Sequence, residues 1–117
     1  MQILVVKDIE NKELCSGWDL FVRSHPLGTI FQSPHYFGIF LHQKEFAPVA
    51  LLMQNVEGKV VGVLSGIIQY QFLGPFKKMA SRCVVMGGPL VQTNDPDLQE
   101  ELLRNFNSYI RQHVIYT

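Results

Sequence analysis

Leu98, Leu102, Phe106, Tyr109 and Ile110 recur at the spacing that places them on one side of an α-helix, while Gln99, Glu100, Arg104 and Asn107 fall on the other. A helix with an apolar stripe must bury it against another element, so the chain has to supply a second layer. Asp95 offers a capping side chain and Pro96 occupies the first helical position, where a missing N–H costs nothing.

The second layer can be read upstream. Residues 49–54 and 59–70 have strand character and are joined by the tight link Asn55-Val56-Glu57-Gly58. Gly62 and Gly66 interrupt the second strand and mark a bulge or the close approach of another group. Residues 3–7 form a first strand. Residues 82–86 form another, ended by Gly87-Gly88-Pro89, and residues 72–76 connect with apolar anchors.

Two helices lie between the first strand and the hairpin. The first is expected to start at Ser16, whose hydroxyl can accept from the Asp19 N–H while Asp19 answers toward Ser16. Trp18, Phe21 and Val22 follow at helical spacing. The pattern fails at Ser24-His25-Pro26, because Pro26 disfavours α geometry in the residue before it, and Gly28 is a natural turn residue. The second helix is capped by Ser33 with Pro34 first, then Tyr36, Phe37, Phe40 and Leu41. Gly38 weakens it by about 1 kcal/mol relative to alanine.

The order is strand, two helices, three strands, helix, strand. It predicts an α/β or α+β fold, a mostly antiparallel sheet with helices packed against it. The last strand is the β-like run HVIYT at residues 113–117, where the sequence stops. The expectation is one partial domain over residues 1–117, the N-terminal part of a longer protein, with its sheet incomplete on the C-terminal side.

Composition narrows the function classes. Hydrophobic residues make up 47% of the 117 residues and charged residues 17%, which suits a packed domain and argues against disorder. Formal net charge is zero, and Lys77, Lys78 and Arg82 form too small a group for a nucleic-acid footprint. No segment approaches the length of a membrane span and no secretion signal is evident, so a cytoplasmic location is expected. Cys15 and Cys83 have no ligand spacing and read as buried thiols, with a disulfide as the less supported alternative.

Trp18-Asp19-x-Phe21-Val22, Gly28-Thr29-x-Phe31-Gln32-Ser33 with Tyr36, Gly62-Val63-Leu64 and Gly87-Gly88-Pro89-Leu90-Val91 together resemble the opening of Fem-type aminoacyltransferases and related proteins of the GNAT superfamily of N-acetyltransferases. The resemblance touches most of the chain. It implies a GNAT-like fold and the first of two such domains, the one beside the peptide-substrate cleft. Fem-type enzymes move an amino acid from aminoacyl-tRNA to the peptide of a cell-wall precursor, and relatives use acyl-CoA. The resemblance therefore implies either donor for a full-length protein, with much of the catalytic and donor-binding surface in its second domain. Two departures stand out. Residues 87–94 lack the Gln/Arg-x-x-Gly-x-Gly/Ala spacing of a CoA pyrophosphate loop and carry no Lys or Arg, and Pro89 removes a donor. No cofactor site is expected in this chain. Ile39 stands where bridge-forming Fem enzymes tend to have a lysine.

The best site candidates are Gln32 and Tyr36. Gln32 has donors and an acceptor, Tyr36 an amphipathic ring, and together they suit a peptide or sugar. The competing reading has Gln32 satisfying a loop backbone group and Tyr36 packing in the core. Gln69 and Tyr70, at the end of the long strand, are the next substrate-contact candidates, against a sheet edge with one packed and one wet face. His35 and His42 would lie about 10.5 Å apart along a helix, His25 sits in a loop, and no carboxylate completes a ligand set, so no metal site is assigned. Ser65, Ser81 and Cys83 lie in no nucleophile elbow. Asp95 and Asp97 read as a capping pair, Glu100 and Glu101 as a solvated face. The catalytic residues are unknown.

Two functions follow as expectations. One is the substrate-side domain of an acyl- or aminoacyltransferase acting on an amine or peptide acceptor, inactive by itself and partnered by the missing C-terminal domain. The other is a non-catalytic binding or structural domain with the same fold. In either case an exposed sheet edge is expected to favour self-association.

Overall fold

The computed structural model describes residues 2–43, 45–72, 78–92 and 95–113. Its elements are β1 (Gln2–Val6), α1 (Lys12–Ser24), a single 3-10 turn (Ile30–Gln32), α2 (Pro34–Phe40), β2 (Phe46–Gln54), β3 (Val60–Phe72), β4 (Lys78–Val85), β5 (Leu90–Val91) and α3 (Pro96–His113). The fold is α+β: among the described residues, a five-stranded antiparallel sheet with three helices against it. The strand order is β1-β2-β3-β4, and β5 continues along the β3 edge that β4 occupies.

The sheet is covered on both faces, which explains why β2 reads as an almost unbroken apolar run. Val49, Leu51 and Met53 point toward α3, joining Leu64, Ile68, Leu102, Phe106 and Ile110 in one cluster. Ala50 and Leu52 point the other way, toward Trp18, Val22 and Phe37 of α1 and α2. The stripe that constrained the sequence lies as it must: Leu102, Phe106 and Ile110 are all buried.

Gly62 and Gly66 serve both of the roles open to them. Val61 is an extra residue in the ladder, since Met53 pairs with Gly62 and Gln54 with Val60. A Cβ on Gly66 would stand 2.7 Å from Phe106 Cζ, so the glycine is what lets α3 press its ring onto the sheet. Pro48 is tolerated within β2 for a related geometric reason. The Glu45 carbonyl faces β3, accepting the Tyr70 N–H at 2.7 Å. By alternation, Pro48 turns its missing donor away from β3, past the last β1–β2 pair at Val6 and Ala50.

The hairpin turn forms as the sequence predicts, with Asn55 Oδ1 accepting from the Glu57 and Lys59 N–H groups at 3.0 Å. Asp95 also caps α3 as expected, accepting the Asp97 N–H at 2.9 Å. Three details differ. Helix α1 begins four residues before Ser16, because Asn11 is the cap and its Oδ1 accepts the Leu14 N–H at 3.0 Å. Asp19 is thereby freed from a capping box and pairs with Arg23 instead. The link after Gly88 holds a short strand, β5, which sequence periodicity cannot register in two residues. Strands β2 and β3 run longer than expected, and β4 starts earlier.

Cys15 and Cys83 are half-buried, unpaired and on opposite faces of the sheet, which rules out a bridge between them. Burial pushes both thiols up, and Asp8 adds to the effect at Cys15. The connector at 73–76, Lys77 and residues 114–117 of the expected last strand lie outside the described residues, while His113, expected to open that strand, is the last residue of α3. Among the described residues, no helix is long and apolar enough to cross a membrane.

Candidate functional site

The turn between α1 and α2 is built around Gln32, which is 2% exposed. Its Oε1 accepts from the Thr29 N–H at 2.8 Å and from Thr29 Oγ1 at 3.2 Å. Its Nε2 donates to the Gly88 carbonyl at 3.2 Å, and its own carbonyl accepts Trp18 Nε1–H at 2.8 Å. One glutamine thus ties α1, the 3-10 turn and the β4–β5 kink together. Gly87 has φ +74° and a Cβ there would fall 2.5 Å from Gln32 Nε2, so both backbone strain and space require glycine. His25 makes a second tie: Nδ1 accepts from the Leu27 N–H at 3.0 Å, leaving Nε2–H to donate to the Val91 carbonyl at 2.8 Å.

Ser33 then starts α2, its Oγ accepting from the Tyr36 N–H at 3.3 Å while donating to the Ile30 carbonyl at 2.6 Å. Tyr36 is half-buried between Phe31 and Phe40, edge-on to both at centroid distances of 5.1 and 5.2 Å. The aromatic run continues from Phe40 to Phe46 at 5.4 Å, and Phe46 is the cross-strand partner of Gln69.

The structure does not gather the four candidate residues. Gln32 faces inward, and both ends of its amide bond within the turn and to the Gly88 carbonyl. Tyr36 lines a groove. Ile68 and Tyr70 join the α3-side cluster, so Gln69 between them faces the α1–α2 side. Burial, and secondarily Tyr109, pushes the Tyr70 phenol up. Of the other residues weighed, Ser65 is buried in β3, Ser81 is the extra residue at a β3–β4 bulge, and His35 and His42 are exposed.

The groove at Tyr36 has a volume of about 460 Å³ and runs between α1 and α2. Val22, Ile30, Tyr36 and Ile39 wall it, with Asp19 and Arg23 on its α1 side. Asp19 Oδ2 meets Arg23 Nη2 at 2.9 Å, with the Asp19 side chain only 20% exposed. Sequence reasoning missed this pair, although acid-to-base spacing of four residues along a helix was the available signal. A larger groove of about 700 Å³ lies between α1 and the β2–β3 hairpin, bordered by Leu20, His25 and Lys59. It contains none of the four candidates, and its charged members Glu13 and Lys59 are exposed to solvent.

No family model matches this chain, and no curated protein matches it. Among solved structures it is similar to a mutant BH1408 protein from Bacillus halodurans, at 15% identity and a TM-score of 0.47, over 99% of this chain and 79% of that one.

Proposed function

We propose that this domain is the acceptor side of an acyl- or aminoacyltransferase acting on an amine or peptide, with the donor, acyl-CoA or aminoacyl-tRNA, bound by a second GNAT-like region of the same polypeptide. One observation carries the reading. Three of the segments on which the family resemblance rests, at Trp18, Gly28–Ser33 and Gly87–Val91, meet at Gln32, through its bonds to Trp18, Thr29 and Gly88. Their joint presence in the sequence therefore has a spatial reason, and the Tyr36 groove opens beside their meeting point.

The second region would cover the β4 side of the sheet, where Val84 and Val85 are 39% and 41% exposed. Left uncovered, that edge is where copies would associate. Light scattering should show less self-association once the second region is added.

The use of both amide atoms of Gln32 in internal bonds favours a second reading, a binding or structural domain that performs no chemistry. Turnover separates the two. The full-length protein, given acyl-CoA or aminoacyl-tRNA and a short peptide amine, should consume the amine. Absence of turnover with every donor leaves the binding-domain reading.

A further inference from the structure

We infer that the groove between α1 and α2 binds an apolar α-amino acid with both charged ends free: ammonium on Asp19, carboxylate on Arg23, side chain against Ile30, Tyr36 and Ile39. The inference rests on the acceptor-side reading and names the class of acceptor.

The molecule contains an internal control for the ion pair. Glu100 and Arg104 on α3 have the same four-residue spacing, sit 3.5 Å apart and are both 71% exposed. That is an ordinary solvated pair. Asp19 and Arg23 are closer, at 2.9 Å, and Asp19 is four-fifths buried against an apolar-walled groove while Arg23 remains 71% exposed. Holding a carboxylate out of water carries a desolvation cost that a surface pair does not meet. The bridge runs between Asp19 Oδ2 and Arg23 Nη2. A carboxylate has two accepting oxygens and a guanidinium five N–H donors, so a single bridge exhausts neither group.

This charge arrangement selects the ligand. A cation alone would satisfy Asp19 and crowd Arg23; an anion alone would do the reverse. A zwitterion matches both without breaking the bridge. His35, exposed at the rim, is the other titratable group beside Tyr36 on the α2 wall. The apolar walls select the side chain. Ile30 and Ile39 are 71% and 59% exposed, and covering them removes apolar surface from water. The volume, about 460 Å³, lies within the range of roughly 300–1,000 Å³ usual for small-molecule sites.

The test is a titration of the isotope-labelled chain with L-leucine, followed by backbone amide shifts. Saturable shifts should concentrate at Asp19, Arg23, Ile30, Tyr36 and Ile39. N-acetyl-L-leucine, L-leucinamide and glycine, each lacking one element of the match, should bind at least about tenfold more weakly. Asp19→Asn should weaken L-leucine by a similar factor. Ile39→Ser, at an exposed position, should weaken it with the ion pair intact, so the question stays decidable if the Asp19 variant fails to fold. No saturable shift in the groove up to about 50 mM L-leucine, or equal binding of the blocked analogues, overturns the inference. Binding is read without any acyl donor. Leucine binding without turnover would therefore remove the transferase reading alone, and turnover on another amine without leucine binding would remove this inference alone.

Discussion

Trp18 Nε1 donates to the Gln32 carbonyl at 2.8 Å inside the layer between α1 and the sheet, joining two residues fourteen positions apart. The indole is fully buried and meets Phe37 edge-on at 5.3 Å. It therefore packs the core with its ring and satisfies the turn with its N–H.

Those two contributions can be separated. Trp18→Phe keeps an aromatic ring but leaves a buried carbonyl without its donor, a loss of about 1–3 kcal/mol. Trp18→Ala adds a cavity and should cost about 3–5 kcal/mol. Gln32→Leu removes the bonds to Thr29 and Gly88 at similar volume and should also cost about 1–3 kcal/mol. Urea denaturation followed by circular dichroism measures all three, since Trp18 is the only tryptophan and its loss removes the fluorescence signal.

Gly66→Ala places a methyl group 2.7 Å from Phe106 Cζ and should destabilise by about 1–3 kcal/mol. Phe106→Leu alone shortens the side chain and leaves a void. Together they should cost less than the sum, with a coupling of about 0.5–3 kcal/mol in a double-mutant cycle. Strict additivity would mean that the ring does not press on this glycine.

The start of α1 offers a direct comparison. Asn11→Ala removes the capping acceptor for the Leu14 N–H and should cost about 1 kcal/mol. Ser16→Ala, at an exposed position inside the helix, replaces a middling helix former with the best one and should be neutral or slightly stabilising. Thermal melts of the two variants should shift in these different ways; a larger loss at Ser16 would restore the later helix start.

Stability should decline in alkali. Tyr70 is pushed up chiefly by burial and then by Tyr109, while burial raises Cys83 and, with Asp8, Cys15. For an acid raised on folding, the folded state holds its proton longer. The contribution is complete below the unfolded value and is lost as pH rises through the folded one. The decline should begin near the ordinary thiol value of about 8.5 and deepen beyond the phenol value of about 10. Tyr70→Phe should flatten the deeper part of the curve in denaturation midpoints measured across that range.

The amino-acid sequence alone determined the elements with strong local signals. The α3 stripe, the Asn55–Gly58 turn, the Ser33-Pro34 helix start and the antiparallel hairpin all follow from spacing, caps and turn chemistry within a few neighbouring residues. Only the tertiary structure decided the rest. Gln32 could equally have contacted ligand or backbone until Gly88, 56 positions away, came within 3.2 Å. Tyr70 and Gln69, adjacent in the chain, went to opposite faces because strand geometry alternates. Asp19 became a groove residue because Asn11 had already capped the helix, and no local pattern reveals which of two competent caps the fold will use.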